Sequence, residues 1–120
     1  MALNDAALVL AANAIDTAVT HFQLHSSAPG GSGTTGALGT RVAVNGTVDA
    51  DGDITWTNTA FTGLAANQAV SHVSYWNGAG TGSPASGGTY YGFAALTGDT
   101  SANSAGEYTV TSVTETSTAT

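Results

Sequence analysis

The hydrophobic period of the chain changes near residue 17. Up to Ile15 the apolar positions recur at helical spacing. Leu3, Ala7, Leu10 and Ala14 form one stripe, and Leu8, Ala11 or Ala12, and Ile15 form a second. Asn4 is a good N-cap and Asp5 suits the positive end of a helix dipole, so the spacing predicts a helix over 3–15. Apolar stripes on both sides of so short a helix cannot both face water. The helix should therefore bury against a sheet or a neighbouring molecule, with Leu10 inside that contact.

Beyond Asp16 the period is 2. Ala18, Thr20, Phe22 and Leu24 fall on one face, and Val19, His21, Gln23 and His25 on the other. Further strands are predicted at 41–48 and 54–58, joined by the turn 49–53, and then at 68–76, 89–96 and 107–113. Gly-rich connectors at 26–39, 77–88 and 97–106 separate them. No internal repeat or heptad is present. The pattern predicts a single domain over 1–120, with the helix at 3–15 and a β-domain over 17–120. The fold class is mainly β, a small antiparallel sandwich of five or six strands behind one short N-terminal helix. Thr114 to Thr120 read as a Ser/Thr-rich tail, and both chain ends are expected to be held by packing.

Composition sharpens this picture. Leu, Ile, Val and Phe fill only 21 of 120 positions, which makes a thin core for 11.7 kDa. Disorder does not follow, because only 8% of residues are charged and the mean hydropathy is +0.09. Burial beyond what the chain supplies is expected from partners, copies of itself first. The net charge is −7, with no lysine and a single arginine, Arg41. That excludes nucleic-acid binding, which needs clustered Lys and Arg. It also excludes a Walker-type phosphate loop, a Schiff-base lysine and a basic membrane anchor. No apolar run approaches the ~20 residues of a membrane span. Residues 6–14 lack the basic leader of a signal peptide and read as helix, which leaves the sequon Asn45-Gly46-Thr47 as turn chemistry. Without cysteine there is no disulfide or thiolate chemistry.

The residues able to do chemistry do not assemble into a mechanism. His21 and His25 lie about 13 Å apart on a strand, too far for one metal ion. His72 could meet one of them across strands, but polar contacts within the sheet are the better reading. Asp49, Asp51 and Asp53 resemble a calcium loop, yet Gly52 precedes the third acid and the flanks are strands, so a charged turn is preferred. There is no G-x-S-x-G elbow, and the acids show no glycosidase pairing. Trp56, Trp76, Tyr75, Tyr90 and Tyr91 offer sugar-stacking surfaces, but their placement in strands points to core and interface roles. Arg41, alone among eight acids, is expected in an internal or intersubunit salt bridge. No catalytic residue, metal or cofactor is expected.

Several segments, in order, resemble a family of small bacteriophage virion proteins of the tail-fibre or minor tail type. Leu24-His25-Ser26-Ser27-Ala28-Pro29-Gly30 is similar to that family's "LHTADPG". Thr40-Arg41-Val42-Ala43-Val44 is similar to "YAR-x-A-V", and Ile54-Thr55-Trp56 to "VTF". Val70-Ser71-His72-Val73-Ser74-Tyr75-Trp76-Asn77 resembles "VTHVGLFDA", and a Gly-rich turn then leads to Tyr90-Tyr91-Gly92-Phe93-Ala94-Ala95-Leu96. Gly106-Glu107-Tyr108-Thr109-Val110 resembles "G-x-Y-T-L". Ser27 and Thr40 depart from the pattern, where the family has Asp and Tyr. The resemblance implies a non-enzymatic structural subunit on the exterior of a virion, tail-associated and assembled in the host cytoplasm. Its partners would be other virion proteins and copies of itself, with a trimer as the suggested form. A capsid decoration protein is the alternative, and a carbohydrate-binding module contacting host-surface glycan a more distant one.

Overall fold

A computed structural model describes residues 3–118. The element order is α1 (Asp5–Ala18), β1 (His21–His25), β2 (Ala37–Ala43), β3 (Thr47–Val48), β4 (Ile54–Phe61), β5 (His72–Asn77), β6 (Thr89–Ala95) and β7 (Tyr108–Glu115). The strands form two antiparallel sheets, β2-β1-β5-β6 and β3-β4-β7, so the fold is the predicted mainly β sandwich with one leading helix. It has seven strands rather than five or six, because the strand predicted over 41–48 belongs to both sheets. Val44 N still donates to Thr20 O at 2.9 Å, beside β1, whereas Thr47 and Val48 pair with β4. Gly46 makes the crossing. Its N–H donates to Asp16 Oδ1 at 3.1 Å, and a Cβ there would lie 2.5 Å from that oxygen and 2.7 Å from Trp56 Nε1. Period-2 patterning runs straight through such a switch and cannot reveal it.

The core lies between the sheets. Phe22 of β1, Trp56 of β4 and Tyr75 of β5 meet with ring centroids 5.3–5.4 Å apart, and Leu24, Ile54, Phe61, Val73, Val110 and Val113 surround them. Fully burying each large side chain contributes roughly 1.5–3 kcal/mol. The buried positions of β4 are Ile54 and Trp56 but then Thr59 and Phe61. The inward face changes parity at Asn58, which has φ +53°. β7 makes the matching change between Val110 and Val113. This explains why the alternation read from sequence stopped at Asn58.

The helix starts as predicted, with Asn4 Oδ1 accepting from Ala7 N at 3.0 Å, but it runs on to Ala18. A tertiary contact holds its last turn, as Asn77 Nδ2 donates to Ala18 O at 2.9 Å. Only one stripe is buried within the chain, through Leu8 and Ala12. Gly52 allows that approach, since a Cβ there would lie 2.8 Å from the Leu8 backbone. The supposed tail is in part structure. Thr114 and Glu115 close β7, Ser117 N donates to Asp53 Oδ1 at 3.0 Å, and Ser117 Oγ donates to Gly52 O at 2.8 Å. The extreme ends, 1–2 and 119–120, lie outside the described residues, and with them the expectation that packing holds both termini.

Candidate functional site

The sheet β2-β1-β5-β6 is buried on both faces near its middle. Alternation turns Gln23, His25, Arg41, Ser74 and Trp76 away from the aromatic core, yet all five are buried. Loops 26–36 and 77–88 cover them. Arg41 sits at the centre. Its Nε donates to Gln23 Oε1 at 3.0 Å, and its Nη1 donates to the carbonyls of Gly78 at 3.0 Å and Gly87 at 2.8 Å. The guanidinium carbon lies 3.7 Å from the Trp76 ring centroid, a cation–π contact. Gln23 Nε2 in turn donates to Leu38 O and Gly39 O.

The salt bridge expected for Arg41 is therefore not formed: no carboxylate pairs with it among the described residues. Neutral carbonyls and a π face take the fork of donors instead, while Nη2 is buried without a partner. Burial pulls the Arg41 pKa below its ordinary value, but a guanidinium remains charged.

A second bond chain runs beside the first. Trp76 Nε1 donates to Ser74 Oγ at 2.7 Å, Ser74 Oγ lies 2.6 Å from His25 Nε2, and His25 Nδ1 lies 2.8 Å from Thr35 O. A carbonyl only accepts, so Nδ1 carries the proton and Nε2 accepts from the serine hydroxyl. Burial above all lowers the His25 pKa. The Thr35 bond opposes that, and the charges of His72 and Arg41 add to it. The Tyr90 ring packs tilted against Trp76, centroids 5.3 Å apart, and its hydroxyl donates to Gly30 O, which ties the first loop down.

The other residues singled out from sequence lie apart from this network or at its border. His72 stands opposite His25 in the register of β1 and β5, but its ring bonds Ser71 Oγ at 2.7 Å and packs beside Phe93. No group of three or more His, Asp or Glu that could hold a metal ion occurs among the described residues. In the acidic turn, Asp49 Oδ1 accepts from the N–H groups of Asp51 and Asp53 at 2.9 and 3.0 Å, while Asp53 Oδ1 accepts from Ser117. Trp56 is a core residue with its Nε1 unpartnered. Trp76 is enclosed by Arg41 and Tyr90 and offers no sugar platform. Leu10 is 74% exposed, so it is no part of the chain's own core.

Sequence reading missed two surface features. An open cleft of about 510 Å³ is lined by Thr62, Asp99, Ser101, Asn103, Glu107 and Tyr108. Its polar groups largely bind one another: Tyr108 Oη donates to Asp99 O, and Asn103 bonds Ala105 N, Glu107 N and Glu107 Oε1. The second feature is apolar. Ala14, Ile15 and Ala18 at the end of α1 form a groove of about 260 Å³ with Tyr91 of β6. Ile15, Tyr91 and Phe93 are each about half exposed. Side-chain exposure of this kind depends on how loops and helix settle around an edge strand, which short-range patterning does not encode.

No protein-family model, no curated protein and no solved structure matches the chain.

Proposed function

We propose that the chain is a non-enzymatic structural subunit on the exterior of a bacteriophage particle, tail-associated and self-associating. One observation carries the reading. The side chains with chemical potential, His25, Arg41, Ser74 and Trp76, are buried in bonds that fasten two long loops to the sheet. None of the four lines the clefts described above. Within the segments resembling the virion family, His25 and Arg41 belong to that network, and Leu24, Val73, Tyr75 and Tyr108 to the core between the sheets. A signature made of packing residues supports a role in which shape and surface matter more than reactivity.

Self-association is supported by the thin core and by the apolar residues left outside it, Leu10, Ile15, Tyr91 and Phe93. Immunogold labelling of purified particles tests the assignment. Label along the tail is expected. Label over the head would instead favour the capsid decoration alternative, and unlabelled particles would overturn the virion reading.

A further inference from the structure

We propose that the free edge of β6 is a self-association surface, to which a second copy of the chain adds antiparallel about a two-fold axis at Ala94. This rests on the self-associating subunit reading above and names its interface. β6 ends the order β2-β1-β5-β6. The bond from Leu96 N to Ser71 O sets the parity of the ladder. Leu96, Ala94 and Gly92 turn their backbone groups toward β5, while Phe93 and Ala95 turn theirs away from it. Those outward N–H and C=O groups have no backbone partner among the described residues.

Soluble proteins blunt such edges with lysine, proline, other charges or a covering loop. The segment Thr89-Tyr90-Tyr91-Gly92-Phe93-Ala94-Ala95 carries neither charge nor proline. The other edges differ: β3 has two residues, β2 receives Ala85 N at Gly39 O, and the exposed side chains of β7, Thr109, Thr111, Ser112 and Thr114, are all polar.

The occupant follows from self-complementarity. Antiparallel pairing about Ala94 sets Phe93 of one copy against Ala95 of the other, twice, and stays clear of the bulge at Tyr91, where two residues of β6 face one of β5. Phe93 and Ala95 share the outward parity, so their backbones meet as hydrogen-bonded pairs and their side chains as cross-strand neighbours. Ile15 borders Tyr91 and extends the apolar contact. Two copies of net charge −7 repel each other, and an uncharged strand lets them meet with least repulsion. A two-fold contact closes at two copies, so it predicts a dimer in place of the trimer that the family resemblance suggests.

Sedimentation analysis of the purified full chain is expected to show a dimer, with Phe93→Lys and Ala95→Pro shifting it to monomer while circular dichroism stays unchanged. Proline at 95 removes an N–H that points away from β5, so the ladder within the chain survives. Thr111→Lys on β7 should remain dimeric. Hydrogen exchange on the unmodified protein supplies a reading free of mutations: the Phe93 and Ala95 amides should exchange at least about tenfold more slowly in concentrated than in dilute solution. An assembly that persists in both variants, or amides insensitive to concentration, would overturn the β6 interface and leave self-association standing. A wild-type monomer at every concentration would overturn both.

Discussion

Arg41 is the only strong cation of the chain, and its charge is met by carbonyl dipoles, an amide oxygen and an indole face. Arg41→Met keeps much of the stem but leaves Gln23 Oε1 and two loop carbonyls unpartnered. It should destabilise the fold by about 3 kcal/mol, read from urea unfolding. Arg41→Lys should recover only part of that, because a point charge cannot fork to three acceptors and stack at once. His25 adds a dependence on pH. Its folded pKa lies below the unfolded value, so its neutral form contributes stability in full above pH ~6.5. That contribution should fall away as pH drops from there through the folded pKa, and be absent in Ser74→Ala/His25→Phe, which keeps only the slope of the same sign from His21, whose pKa burial also lowers. Urea midpoints between pH 7.5 and 5 check the slope. In the acidic turn the Asp49 and Asp53 carboxylates already serve backbone donors, so millimolar calcium should move the melting temperature by less than about 1 °C.

At the scale of elements, α1 divides its two apolar stripes between core and surface. Leu8→Asp forces a charge against the Gly52 turn and the core, and should cost several kcal/mol, on the order of the whole stability of a small domain. Leu10→Asp replaces a side chain standing in water and should leave the urea midpoint of the isolated chain within about 0.5 kcal/mol of wild type. Comparing the two variants tests which stripe the fold needs. Gly46→Ala should destabilise more than any alanine on the exposed face of β2, because it pushes Asp16 and Trp56 apart at the sheet switch. Much at this scale was legible in the sequence. Asn4 announced the helix start, and the alternations around Phe22, Trp56, Val73 and Val110 located β1, β4, β5 and β7. The switch at Gly46, the parity change at Asn58 and the helix end at Ala18 were not legible. Each depends on a partner far away in sequence, namely Asp16 and Trp56, β7, and Asn77 respectively.

For the molecule as a whole, the surroundings of the residues singled out from sequence were not foreseen. His25, Arg41 and Trp76 share one network across three strands, and an acid was expected where loop carbonyls stand. Nothing local marks loops 26–36 and 77–88 as a lid over the sheet. That follows from Gly80 and Gly88, where a Cβ would lie 2.9 and 3.1 Å from Arg41 Nη1. The result is a sandwich closed by an apolar core, with buried polar side chains fastening its loops and unused apolar surface gathered at α1 and β6. Such a molecule suits repeated placement in a larger particle. The most direct measurement is the number of copies per particle, from quantitative peptide mass spectrometry of gradient-purified phage. The proposed virion role predicts a fixed multiple-copy ratio to known tail proteins, retained through high-salt washing; recovery of the chain only from the soluble lysate, with none in particles, would contradict the account.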